Sequence, residues 1–336
     1  MQQFTGERVV DDAAVSAACE CVRAPEPHSG DVARAGLAAV SYGEEQLVRP
    51  DSISLLVRHY QPAQETAART LLLVHGLSEH GERYDHVARV FAGRRWNVVV
   101  PDARGHGRSG GTATHVRQFR RYCDDLNAIL DHVAAAPGRT AVVGHSMGAL
   151  VAIRHAQRFP GRAAALALIS PLLRVAVRVP AGLFVLGRVL SFVAPRTRFQ
   201  TRVDPSLTTR SLDVLARRLA DPLIHRSVTA GWFFAMRRAL RNAWREAPGL
   251  RVPLLVLQAG QDRIVDPDAA REWLASAGSA DKTFRCLPEH YHELLNEPDW
   301  PETATLVADW LDGRVDAVPA SDPASPASLR HPVLRT

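Results

Sequence analysis

The chain has 336 residues, 46% of them hydrophobic and 23% charged, enough to bury a substantial core and in the range of globular proteins that fold in water. The formal net charge of +6 is carried almost wholly by arginine, Lys282 being the only lysine; no arginine stripe interleaved with aromatic residues accompanies it, which argues against nucleic acid as a partner. Cys19, Cys21, Cys123 and Cys286 are scattered apart from one C-x-C pair, which suits neither a metal site nor a disulfide framework, and no run of about 18 uncharged apolar residues reads as a membrane span.

The N-terminal stretch MQQFTGERVVDDAAVS carries acidic residues where a secretory signal needs a long apolar run, so the expected compartment is the cytoplasm. Residues 1–44 read as a partly ordered N-terminal extension. Apolar runs at 52–60, 70–76, 96–102, 140–146 and 164–170 read as strands, several apolar on both faces as buried parallel strands are. Helical patterns at 82–93, 116–136 and 147–158 lie between them. This alternation predicts a mostly parallel central sheet flanked by helices on both faces.

Residues 171–250 break the alternation with a long insertion of helical character, including PAGLFVLGRVLSFVAP at 180–195 and TAGWFFAMRRAL at 229–240. An insertion of this length beyond a strand end suits a functional cap better than a connecting loop. Strands resume at 253–260 and 282–288, with helices at 267–277 and 293–312. The expected organisation is a core of 45–170 and 251–313, a helical cap of 171–250, and a disordered tail of 314–336 rich in Pro, Ala and Ser.

The stretch AVVGHSMGALVA at 141–152 places Ser146 between Gly144 and Gly148, after a strand and before a helix. In that setting G-x-S-x-G is a nucleophile turn: it exposes the serine hydroxyl and aims the N–H of Met147 at a reacting carbonyl. The bland alternative is an ordinary βα turn. A serine hydroxyl needs a base, itself held by an acid, and the chain order for this arrangement is Ser, acid, His. LLVLQAGQDRIVDP supplies Asp262 directly after a strand and a glycine, whereas Asp266, before Pro267, suits a helix cap. In CLPEHYHELLNEP the preferred base is His292, which opens the final helical run, with His290 as the fallback. His75, His106 and His145 stand in the wrong place in the order and read as structural. A second oxyanion donor is expected from HGLSEHGERY, where His75-Gly76 turns the chain and leaves the N–H of Leu77 free.

These residues resemble the α/β-hydrolase superfamily, and within it the monoacylglycerol lipase and lysophospholipase-like branch (serine aminopeptidase S33). HGLSEHGERY at 75–84, PDARGHGRSGG at 101–111, GHSMG at 144–148, QDRIVDP and YHELLNEP carry the likeness over roughly residues 45–312. It implies an α/β-hydrolase fold with a helical cap inserted after the sixth strand. It also implies a triad of Ser146, Asp262 and His292, and oxyanion donors at Leu77 and Met147. Asp102, Arg104 and His106 fall in a segment that packs near the site as architecture. Ser78 stands where many relatives have glycine or alanine. The resemblance calls for no cofactor and no metal.

The cap points to the substrate. Leu183, Phe184, Val185, Leu186, Leu190, Phe192 and Val193 suit an acyl tunnel or a lipid surface, with Arg174, Arg178 and Arg188 near anionic headgroups. Packing of the cap onto the core would use the same residues. Together they favour a lipid ester, a monoacylglycerol or lysophospholipid, with transient contact between cap and membrane surface. The alternatives are a small-molecule carboxylesterase, an acyltransferase, or a catalytically silent ligand-binding homologue. A peptidase would need carboxylates for a free amino terminus, and the cap has few.

Overall fold

The apolar runs pair side by side as the centre of an eight-stranded sheet in the computed structural model, which describes residues 40–62, 69–176, 179–201 and 203–315. In chain order the core elements before the cap are β1 (Val40–Val48), β2 (Ser54–Pro62), β3 (Arg69–Val74), α1 (Asp85–Gly93), β4 (Trp96–Pro101), α2 (Arg120–His132), β5 (Thr140–His145), α3 (Met147–Arg158) and β6 (Ala165–Ile169). The cap holds α4 (Ala181–Val193), β7 (Arg198–Gln200), α5 (Leu212–Ala220), β8 (Ser227–Thr229) and α6 (Ala230–Arg245). The core then closes with β9 (Leu254–Ala259), α7 (Pro267–Ser276), β10 (Lys282–Leu287) and α8 (Trp300–Asp312). The sheet order is β1-β2-β4-β3-β5-β6-β9-β10, parallel from β4 to β10 and antiparallel at β1 and β2.

Alternation along the strands sorts the core into two layers. Leu72, Val74, Val99 and Val142 pack with α2, α3 and the cap helix α6 on one face. Leu71, Leu73, Val98, Val100, Ala141 and Val143 pack with α1 and α8 on the other. Both faces of the central strands are therefore dry, which explains why their sequences read as unbroken apolar runs.

Three sequence expectations need correction. β1 begins at Val40, so the boundary drawn between 44 and 45 falls inside a strand that pairs with β2 from Val40↔Pro62 to Val48↔Ser54. It is an exposed edge strand carrying Glu44 and Glu45, so it has no apolar run to read. β6 is the sixth strand only because β1 precedes it. The helix expected over 293–312 is one 3-10 turn at Leu294–Asn296 followed by α8, because Pro298 breaks it and α8 starts afresh with Pro301 in its first turn. The cap is also not wholly helical: β7 and β8 form a two-stranded antiparallel ribbon at its base. Cys19, Cys21, Arg178, most of the N-terminal extension and nearly all of the tail lie outside the described residues.

Candidate active site

Ser146 joins β5 to α3 with φ 51° and ψ −112°, a left-handed conformation that a non-glycine residue adopts only under constraint. The constraint is visible on both sides. Its N–H donates to Ile169 O at 2.9 Å, and its carbonyl accepts from Leu172 N at 3.1 Å. A Cβ on Gly144 would lie 2.5 Å from Gly148 O, and one on Gly148 would run into the carbonyl oxygens of Val74 and His75. Glycine at both positions lets β5 and α3 close so tightly that only the serine projects. Met147 occupies the first turn of α3, where its N–H has no intrahelical acceptor.

Asp262 follows β9 and is buried. Its Oδ1 accepts from Ile264 N (2.9 Å) and Val265 N (3.0 Å), and its Oδ2 lies 2.7 Å from His292 Nδ1. Burial alone would push this carboxyl up; the neighbouring His292 and the N–H groups of Val265 and Ile264 together hold it below its ordinary value. A carboxylate only accepts, so Nδ1 carries the proton and Nε2 is left as an acceptor. Ser146 and His292 line one cavity, with Gly76 and Leu77 beside them. The hydrogen bonds of the described residues do not include one between the Ser146 hydroxyl and that imidazole, and such bonds commonly tighten only with substrate present.

The rivals have other duties. Asp266 caps α7 through Asp268 N (3.0 Å) and pairs with Arg174 (2.8 Å). His290 Nε2 meets Asp299 Oδ2 at 2.7 Å, outside the cavity. His75 accepts from Ala103 N at 2.9 Å through Nε2, so its protonated Nδ1 donates to Gly76 O (2.7 Å) and fixes the turn before Leu77. Asp102 receives Gly81 N and Arg108 N, both at 2.8 Å, and a buried ion pair from Arg58, while Arg104 pairs with Asp125 and Asp51. That segment is scaffolding for the site.

The sequence reading missed a buried chain of charge around the catalytic end. Glu79 accepts Gly76 N at 2.5 Å and pairs with Arg83. Arg83 also reaches Glu293 at 2.6 Å, and Glu293 in turn pairs with Arg218 of α5 at 3.0 Å. The only sequence signals were a glutamate directly after His292, and Glu79 and Arg83 four residues apart in HGLSEHGERY. Burial pushes the carboxyls of Glu79 and Glu293 up, and the guanidiniums hold both below the ordinary range.

The cavity holds about 490 Å³ and is mostly apolar. From Ser146 it runs under the cap between Val175, Leu183, Phe184, Phe233, Phe234 and Ile264. α4 divides its apolar residues: Leu183 and Phe184 face this space, while Val185, Leu186, Phe192 and Val193 are exposed. Arg174 is neutralised by Asp266 and Glu272, so it is not free for a headgroup; Arg188 instead stacks over Phe192 with 4.6 Å to the ring centroid.

A strained serine at a strand–helix turn, with an Asp–His pair on later loops of a doubly flanked parallel sheet, defines a serine hydrolase of the α/β-hydrolase class. The family model described as "Serine aminopeptidase, S33" matches residues 65–299, and the chain belongs to this α/β-hydrolase family. It is similar to phospholipase YtpA of Bacillus subtilis, 31% identical over 68% of this chain and 89% of that one. It is also similar to the monoacylglycerol lipase of Mycolicibacterium smegmatis (31%, over 72% and 87%) and to human monoglyceride lipase (33%, over 75% and 84%). The monoacylglycerol lipase of Paleococcus ferrophilus shares the fold, with a TM-score of 0.70 at 24% identity over 81% of this chain and 98% of that one. Among the described residues no helix is long and apolar enough to cross a membrane.

Proposed function

We propose that the enzyme hydrolyses lipid esters with one acyl chain and a small polar alcohol, of the monoacylglycerol or lysophospholipid type, through an acyl-enzyme on Ser146. The carrying observation is the mostly apolar cavity lined by Ser146 and His292 of the core and by Leu183 and Phe184 of α4. The names of the relatives support the same substrate class.

In this reading Ser146 Oγ attacks the ester carbonyl carbon and its proton passes to His292 Nε2. Asp262 holds the imidazole through Nδ1 and stabilises its cation. The N–H groups of Leu77 and Met147 take the developing oxyanion, a single donor being worth about 3–4 kcal/mol in comparable sites. Collapse breaks the ester C–O bond, and the proton on His292 goes to the departing alkoxide. Water then gives a proton to His292 and attacks the acyl carbon; the acid leaves and Ser146 recovers its proton. An alcohol in place of that water would make the same site an acyltransferase.

The exposed face of α4 is the part of the cap that suits transient contact with a lipid surface, since Val185, Leu186, Val189, Phe192 and Val193 lie on the outside of the wall that encloses the cavity. The test of the whole reading is kcat/KM across p-nitrophenyl esters, monoacylglycerols and lysophospholipids for the wild type and Ser146→Ala. Turnover surviving in Ser146→Ala, or failure of a fluorophosphonate to label Ser146, refutes the acyl-enzyme. A preference for short, polar esters refutes the lipid substrate and favours a small-molecule carboxylesterase.

A further inference from the structure

The cap is fastened to the core at several places, among them the bond from Thr114 Oγ1 to Ser227 O at 2.7 Å. Segment 204–226 is bonded to the two loops that flank the reacting atoms. Glu293 N donates to Thr208 O at 2.8 Å, Thr209 Oγ1 to Asn296 O at 2.9 Å, and Arg210 Nε to Glu297 Oε2 at 2.8 Å. On the oxyanion side, His225 N donates to Ser78 O at 3.0 Å, and His80 Nε2 meets Asp221 Oδ2 at 2.7 Å. Arg218 stands at the centre of this seam. Its partner Glu293 is the residue bonded to His292 in the chain, is 3% exposed, and is joined through Arg83 to Glu79, which holds Gly76 N. The chain of charge is neutral, two carboxylates alternating with two guanidiniums. It links the cap, the loop of His292 and the loop of Leu77 in one buried unit.

We propose that Arg218 is a positioning residue, whose ion pair with Glu293 fixes the peptide carrying His292, so that the cap as well as the core aims the imidazole at Ser146. The proposal rests on the assignment of His292 as the base. Without Arg218, Glu293 keeps only Arg83 and is free to follow it toward Glu79, drawing the His292 peptide with it. A displacement of about 1 Å at a reacting group costs on the order of a hundredfold in rate. Arg218 lines the cavity, but as a positioning residue it touches neither the carbonyl nor the leaving group, so its loss with a short-chain ester should act on kcat more than on KM.

The experiment uses the full chain and a soluble short-chain p-nitrophenyl ester, with Arg218→Met, Arg218→Lys, Glu293→Gln and the double variant Arg218→Met/Glu293→Gln, assayed well below each melting temperature. Arg218→Met is expected to lower kcat roughly ten- to a hundredfold with KM within about threefold, and to slow fluorophosphonate labelling in proportion. Arg218→Lys should recover most of that loss. The double variant should be no slower than the slower single variant, because both substitutions remove the same bond. A raised KM with kcat unchanged would make Arg218 a substrate contact and overturn the proposal. A folded Arg218→Met with wild-type kcat, or losses that multiply in the double variant, would overturn it as well. Wild-type protein that neither turns over the ester nor is labelled at Ser146 would instead strike the proposed function.

Discussion

The ring of His145 packs against that of His292, with centroids 4.8 Å apart and planes inclined at 58°. His145 is buried, and burial together with the nearby His292 pushes its pKa down to about 4. The proposed base therefore works beside an uncharged imidazole at neutral pH. A fixed cation there would oppose the imidazolium formed during attack by roughly 3 kcal/mol at an effective dielectric constant near 20. His145→Gln should keep kcat/KM for a soluble ester within about tenfold, while His145→Lys should lose about a hundredfold or more. Circular dichroism would establish that both variants are folded. Equal activity in the two would show that charge at this position is indifferent.

Asp262 and Asp266 differ in what their oxygens face, one His292 and the other the start of α7. Asp262→Asn should cost on the order of 10⁴ in kcat if the carboxylate orients the imidazole as proposed. Asp266→Asn should leave kcat near wild type, since asparagine also caps helices well. Its cost should be confined to stability, where the pair with Arg174 is lost, and that pair is too exposed to be worth more than about 1 kcal/mol. Steady-state kinetics and melting of the two variants would settle which acid is catalytic; a comparable loss of kcat in Asp266→Asn would count against the assignment.

Those two acids were separable in the sequence because Asp262 ends an apolar run and Asp266 precedes a proline. The strained turn at Ser146 was legible for the same kind of reason: Gly144 and Gly148 stand at a spacing that suits close approach, and the backbone there is crowded. What escaped reading depends on distant partners. β1 is held by its pairing with β2 and by no apolar run of its own. The Glu79–Arg83–Glu293–Arg218 chain joins residues from widely separated parts of the chain, and in sequence each looks like an ordinary solvated charge. The division of α4 into a cavity face and an outer face also required the position of α6 beneath it.

His155 is a cost without a partner. It is fully buried in α3, neither ring nitrogen has a hydrogen bond, and burial followed by Arg162 pushes its pKa down to about 4. A group whose folded pKa lies below its unfolded value near 6.5 contributes its full share of stability only above that value. The share is lost as pH falls through 6.5 toward 4, because the unfolded chain takes up the proton first. Each pH unit in that window costs about 1.4 kcal/mol per such group. His155→Leu removes the term along with two unsatisfied polar atoms. Its melting temperature should match or exceed wild type at pH 7, and its advantage should grow by roughly 2–4 °C at pH 5. Thermal melts at the two pH values check this; a gap that does not widen on acidification would mean that His155 is charged or solvated in the folded protein.

The outer face of the cap combines exposed apolar side chains with unopposed positive charge. Val185, Leu186, Val189, Phe192 and Val193 are each more than half exposed. Residues 179–201 and 230–244 contain no aspartate or glutamate, yet they contain Arg188, Arg196, Arg198, Arg237, Arg238 and Arg241. Arg188 lies over both Phe192 (4.6 Å) and Phe234 (5.5 Å), which holds its charge at the level of the apolar residues. Burial, then Arg188 and Arg241, pushes the pKa of Arg238 down, as expected where like charges are gathered. A basic side chain near an anionic bilayer gains about 1 kcal/mol, and apolar side chains that enter the interface add to it. The protein should therefore sediment with vesicles containing phosphatidylglycerol more than with pure phosphatidylcholine, and added salt should weaken the difference. Phe192→Asp should reduce sedimentation with both kinds of vesicle while leaving kcat/KM for a soluble ester within about twofold, since this side chain lies outside the cavity. Binding that ignores lipid charge and survives Phe192→Asp would remove the cap from the membrane contact.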